Sequence, residues 1–195
     1  MQYIAAQRRA TALPLRKVQK HSAAGSPKTG IPLFTAGATA DAVLAGGGKV
    51  IGVIPDVKLI QERRHPGLTE CIETKDMAER KQKMIELADA YVALPGGPGT
   101  LDEISEVICL ARLGIENKAC VLFDTDGYYQ ALKKIFEEMV EVGFTEKEDF
   151  KRVLVSADLD EIGRFIEQYN SVPKEILQRR RRRAGFRSGA AVFFL

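Results

Sequence analysis

The chain has 195 residues, 45% of them apolar and 28% charged, which suits one folded domain with its own core and excludes wholesale disorder, a collagen-like repeat or a disulfide miniprotein. Three widely spaced cysteines, Cys71, Cys109 and Cys120, fit neither a disulfide framework nor a paired-thiolate zinc site and read as reduced thiols. The net charge of +3 is unevenly spread, because residues 1–40 and everything after Glu175 lack acids while the body between them holds all 26 acidic residues; an acidic body argues against a nucleic-acid enzyme, whose affinity rests on a basic face.

Residues 1–35 form a basic, acid-free extension with the composition of a disordered or transit-like leader. The body spans 36–172, and 173–195 is an Arg-rich tail whose Arg179 to Arg183 run reads as a solvated charge run or a nuclear-localisation patch. No segment reaches the roughly 18 consecutive apolar residues of a membrane helix. The expected location is cytoplasmic, with the nucleus or an organelle as alternatives through the two basic ends.

Between the ends, short β-branched runs alternate with helical patterns, the mark of a parallel sheet with crossover helices. Thr39 is placed to cap a short helix to Ala45, closed by Gly46-Gly47-Gly48. Lys49–Ile54 follows as a strand stopped by Pro55, apolar enough to be buried on both faces. Glu70–Thr74 is a short strand, and Asp76 with Glu79 opens a helix to about Leu87. Ala90–Leu94 is a buried strand, Leu101–Leu113 a helix ended by Gly114, and Ala119–Phe123 a strand. Tyr128–Val142 is a helix, Val153–Ser156 a strand, and Asp158–Tyr169 a helix opened by an Asp158/Glu161 capping box. Ligands in such sheets bind at the carboxyl ends of strands, which directs attention to the loops after Ile54, Leu94 and Phe123.

The segment Pro95-Gly96-Gly97-Pro98-Gly99-Thr100 stands between a buried strand and a helix start. Glycines let backbone approach an anion, and the first-turn N–H groups with the helix dipole favour negative charge there; a plain tight turn fits the same residues. It is neither a Walker loop nor a dinucleotide fingerprint. Thr100-Leu101-Asp102-Glu103 matches a capping box in which Glu103 reaches back to Thr100. Alternatively, Glu103 one turn above a bound phosphate presents a carboxylate to the sugar, where it can stabilise an oxocarbenium centre and orient water. Arg80 shares a helix face with Met77, Met84 and Leu87, so it is aimed inward at a carboxylate or phosphate, or snorkels from the rim. His65 between Arg64 and Pro66 reads as structural or as part of a substrate rim, and no lysine stands in a context that singles it out for Schiff-base chemistry.

Met77-Ala78-Glu79-Arg80-Lys81, followed by Pro95 to Glu103 and flanked by Gly48 to Pro55 and His65 to Glu70, resembles the Lonely Guy (LOG) family over about residues 36–170. Members are cytokinin riboside 5′-monophosphate phosphoribohydrolases with a Rossmann-like fold and paired subunits. The resemblance implies Arg80 and Glu103 as the catalytic pair. It assigns substrate binding to Glu62, Lys81, Gly96, Gly97, Pro98, Gly99, Thr100, Leu101, Asp102 and Cys109, the phosphate lying on Gly97 to Thr100. It implies no metal or other cofactor, a nucleoside 5′-monophosphate as substrate and a homodimer. Cys109 stands where members usually have Thr, and Pro98 where many have Tyr, which removes an N–H. The family's two amino-terminal strands have no counterpart in residues 1–35, so the expected fold is a Rossmann-like α/β sheet lacking them. Hydrolysis of the nucleotide's N-glycosidic bond is the implied activity, with a catalytically impaired nucleotide-binding protein as the alternative.

Overall fold

The computed structural model of the chain describes residues 3–6, 35–57, 64–169 and 191–194. Strands β1 (Tyr3–Ala6), β2 (Lys49–Pro55), β3 (Glu70–Thr74), β4 (Ala90–Ala93), β5 (Ala119–Phe123), β6 (Val153–Ser156) and β7 (Ala191–Phe194) form one sheet in the order β3-β2-β1-β7-β4-β5-β6. Pairing is parallel from β2 to β3 and from β7 through β4 and β5 to β6, while β1 runs antiparallel to both neighbours. The helices are α1 (Thr35–Ala45), α2 (Met77–Leu87), α3 (Pro98–Arg112), α4 (Gln130–Glu141) and α5 (Leu159–Tyr169).

Alternation along the strands divides the core in two, since successive side chains point to opposite faces. Ala90, Val92 and Leu94 with Ala119, Val121 and Phe123 meet Val43 of α1 and Ile162 and Ile166 of α5. Tyr91 and Ala93 with Cys120 and Leu122 meet Met84 and Leu87 of α2, Ile104, Val107 and Ile108 of α3, and Leu132 and Phe136 of α4. The result is a three-layer Rossmann-like sandwich with α2 and α3 side by side on one face, and that adjacency builds the site described below. The stripe Ile104, Val107 and Ile108 thus packs on the sheet.

Most boundaries agree with the sequence reading, and the differences have identifiable causes. Helix α1 starts four residues before Thr39, which is buried inside the helix and caps nothing at its start. Its other end is as read: Gly47 takes φ +74°, and the N–H groups of Gly47 and Gly48 return to Leu44 O and Val43 O, both at 2.9 Å. Asp158 does cap α5, accepting from Asp160 N at 2.8 Å and Glu161 N at 3.0 Å, but the Glu161 carboxylate turns to the Ser156 hydroxyl instead of closing a box.

The largest correction concerns the ends of the chain. Residues 1–35 include a strand, Tyr3–Ala6, and the Arg-rich tail ends in another, Ala191–Phe194. Together they stand between β2 and β4, where the sheet would otherwise present two open inner edges. Unpaired N–H and C=O groups there would carry the full cost of lost backbone hydrogen bonds, and two short apolar segments supply the partners.

Candidate active site

Helix α2 is started firmly. Asp76 accepts from Glu79 N at 2.8 Å, and the Glu79 carboxylate reaches back to Lys75 N at 2.8 Å. This start fixes the rotation of the helix about its axis, so that Arg80, Met84 and Leu87 face the sheet. Met77, expected on the same face, is 40% exposed because it precedes the first full turn over the core.

The Arg80 side chain is 4% exposed and does not snorkel. Its Nε donates to Val53 O on β2 at 3.0 Å, and its Nη1 donates to Glu103 Oε1 on α3 at 2.5 Å. Glu103, 6% exposed, is therefore not the closing member of a Thr100 capping box. The cap of α3 is Gly97, and Thr100 already lies in the first turn. The desolvation of an ion pair this deep offsets much of its Coulombic attraction, and buried pairs of this kind are often replaced by apolar side chains without loss of stability. The pair sits beside Met84, Ile104 and Val107, so packing alone gives no reason for it, and a buried charge pair at the edge of a cleft is a candidate functional site. A small, open cleft lies next to it between α2 and α3, lined by Lys81, Met84, Ile85, Tyr91, Glu103, Glu106 and Val107.

The glycine loop leads directly into α3. A Cβ on Gly96 would lie 2.3 Å from Thr100 Oγ1, so glycine is required there by the fold itself. At Gly97 and Gly99 a Cβ would meet nothing within 4 Å, which leaves the backbone open on that side. Gly97 offers no capping side chain, and Pro98 at the first helical position offers no N–H. Leu101 N returns to Gly97 O at 3.2 Å. The loop therefore has the exposed first-turn amides and the dipole of an anion site.

Lys81 lies beside Arg80 on the outer side of α2 and spans to α3, with its Nζ 3.2 Å from Asp102 Oδ2 and 2.8 Å from Glu106 Oε2. The hydrogen bond to Glu106, then that to Asp102, raises its pKa. An amine held protonated in this way is unsuited to imine formation, which needs the neutral base. Leu101 is exposed at the first turn. Cys109 is on the exposed surface of α3, six residues or about 9 Å along the axis from Glu103, and the structure does not bring it to the pair. Glu62 lies outside the described residues. His65 is tied down: Nδ1 accepts from Gly67 N at 3.1 Å, which leaves Nε2 to donate to Asp41 at 3.1 Å, the structural role. Among the described residues no cluster of His, Cys, Asp and Glu could hold a metal ion, and no helix is long and apolar enough to cross a membrane.

Four contacts here were not read from the sequence. Val53 contributes only a carbonyl, which carries no side-chain signal. Glu106 was legible as the residue one turn beyond Asp102. Tyr128 and Tyr129 donate their hydroxyls to Gly96 O and Leu94 O, at 2.5 and 2.6 Å, and their distance in sequence from the loop concealed the relationship.

Residues 36–166, which contain both motifs, match the protein family described as possible lysine decarboxylase. The chain belongs to this family, the LOG family. Over 125 residues it is 43% identical to the cytokinin riboside 5′-monophosphate phosphoribohydrolase of Rhodococcoides fascians, covering 64% of this chain and 63% of the relative. It is 46% identical over 101 residues to a probable enzyme of the same name from Oryza sativa subsp. japonica, covering 52% and 44%. With one from Arabidopsis thaliana it shares 40% over 141 residues, covering 72% and 64%. The chain thus spans less than two thirds of the length of these relatives. The decarboxylase in the family description finds no support in this candidate site, where Lys81 is paired with two carboxylates.

Proposed function

We propose that this LOG-family chain hydrolyses the N-glycosidic bond of cytokinin riboside 5′-monophosphates, releasing the free N6-substituted adenine and ribose 5-phosphate. The observation that carries the reading is the buried Arg80–Glu103 pair at 2.5 Å, one turn from the glycine loop. In this scheme the 5′-phosphate lies on the amides of Gly97, Gly99 and Thr100 at the positive end of α3, with Gly96, Pro98, Leu101 and Asp102 shaping the turn. The ribose then lies over Glu103. As the bond between C1′ and the base nitrogen breaks, its electron pair leaves with the base and positive charge develops on C1′. The Glu103 carboxylate stabilises that charge and takes a proton from the water whose oxygen bonds to C1′, and a proton returns to the departing base. Arg80, oriented by Val53 O, holds the carboxylate in place beside the ribose. Lys81 braces α2 against α3 beside them. No metal or redox cofactor takes part in this scheme.

Two identical subunits are part of the proposal, and the exposed Leu113, Ile115, Ile135 and Phe144 offer apolar surface for the contact. The proposed compartment is the cytoplasm, consistent with three unbridged cysteines. A second reading, a nucleotide-binding protein without catalysis, is favoured by the middle of the sheet being filled by β1 and β7 from the two ends of the chain, whose sequences carry none of the loop motifs that the resemblance led one to look for there. Chromatography after incubating the full chain with N6-isopentenyladenosine 5′-monophosphate separates the readings: free base and ribose 5-phosphate in equal amounts support hydrolysis, whereas saturable binding with the nucleotide recovered intact supports the second.

A further inference from the structure

Two consecutive tyrosines on the loop after β5 reach the loop after β4. The Tyr129 hydroxyl donates to Leu94 O at 2.6 Å, and the Tyr128 hydroxyl to Gly96 O at 2.5 Å. Leu94 lies just past the last β4–β5 ladder pair, Ala93 with Leu122, so its buried carbonyl has no strand partner there and takes the phenol instead. Pro95 between the two carbonyls has no N–H of its own. The two phenols therefore hold the chain on either side of it.

The tyrosines are themselves held. Asp124 accepts from Tyr129 N at 2.7 Å and from the Gln130 side-chain amide. The turn between them places Asp126 at φ +55° and Gly127 at φ +74°, a conformation that a non-glycine residue keeps only where its surroundings fix it. The rings meet edge to face with centroids 5.0 Å apart. Tyr129 is 5% exposed and Tyr128 52%, so the second phenol is not explained by filling the core.

From this we infer that Tyr128 and Tyr129 are positioning residues for the glycine loop. A peptide unit is planar and trans, with its C=O and N–H pointing in opposite directions. Fixing Gly96 C=O toward Tyr128 therefore turns the Gly97 N–H away from it, to the other side of the peptide plane from the phenol. The tyrosines preset the amide that meets the phosphate, without touching the substrate. The inference rests on the proposed function for the identity of the ligand, and on the hydrogen bonds alone for the clamp.

Tyr128→Phe and Tyr129→Phe keep both rings and remove only the hydroxyls. Calorimetric titration of the full chain with AMP and with adenosine is expected to show about fivefold weaker AMP binding in Tyr128→Phe, the factor set by one hydrogen bond of ordinary net strength, with adenosine binding unchanged. Equal loss for both ligands, or no loss for AMP, overturns the positioning role. Amide hydrogen exchange over residues 94–101 needs no ligand: faster exchange in each variant supports the clamp, and unchanged exchange overturns it. If the unaltered chain binds neither ligand, the proposed function fails, and the exchange result alone decides the clamp.

Discussion

Arg80 and Glu103 lie 23 residues apart on different helices, yet their charged groups meet at 2.5 Å with both side chains almost wholly buried. Removing one partner leaves the other charged and unpaired in an apolar setting, so Arg80→Met or Glu103→Leu is expected to cost about 3–5 kcal/mol in chemical denaturation. The double variant Arg80→Met/Glu103→Leu removes both charges and should recover most of that stability while releasing no base. Recovery of both stability and activity would show the pair to be structural only.

The glycine loop makes a contrast within one motif. Gly96→Ala forces a methyl group against Thr100 Oγ1 at 2.3 Å, so it should lower the melting temperature and weaken nucleotide binding together. Gly97→Ala and Gly99→Ala meet nothing within 4 Å and should melt like the unaltered chain, yet raise KM for the 5′-monophosphate because the new methyl occupies the ligand's approach. Unchanged KM in both would remove the phosphate from this loop.

Lys81 gives a pH-dependent test. Its folded pKa is raised by Glu106 and Asp102, so its contribution to stability is fully present below the unfolded value of about 10.4 and is lost as pH rises through the higher folded value. Lys81→Met is expected to lower stability by about 0.2–1 kcal/mol, the range of partly solvated pairs. The gap between the two proteins should be constant from neutral pH to about pH 9 and close above about pH 10.4. A stability of the unaltered chain that instead rises relative to Lys81→Met between neutral pH and about pH 10.4 would mean a depressed folded pKa, as imine chemistry requires.

The thiols divide by environment. Burial, reinforced by Glu116, pushes the Cys120 thiol up to about 12, and burial also raises that of Cys71, while Cys109 is exposed. Iodoacetamide at pH 8 should label Cys109 first in the native protein and leave Cys120 unmodified until the chain is unfolded. AMP should not protect Cys109, since α3 presents it away from the pair; protection would place it in the substrate site after all.

The sequence was most informative where physics is local. Strand ends at Pro55 and Phe123, the Asp76 cap and the glycine helix stops follow from residues a few positions apart, and they agree with the structure. The inward aim of Arg80 was legible from its helical face, but its partner was not, because the distance between α2 and α3 is a property of the sheet. The same limit explains Thr100 to Glu103: a local pattern read as a capping box yields to a tertiary ion pair that the local pattern cannot contain. Tyr3–Ala6 and Ala191–Phe194 escaped notice because four-residue strands carry little periodic signal, and their place depends on edges left open by residues far away. Tyr128 and Tyr129 escaped for the same reason, their partners being carbonyls more than 30 residues earlier.

The measurement that bears most directly on the central claim is the initial rate of base release from N6-isopentenyladenosine 5′-monophosphate by the full chain and by its Glu103→Gln variant, which keeps shape and hydrogen bonding but loses the carboxylate. Release by the unaltered chain and a fall of at least about 100-fold in the variant are expected, the scale of a general base combined with charge stabilisation. Equal rates in the two proteins, or no release by the unaltered chain while circular dichroism shows it folded, would contradict that claim.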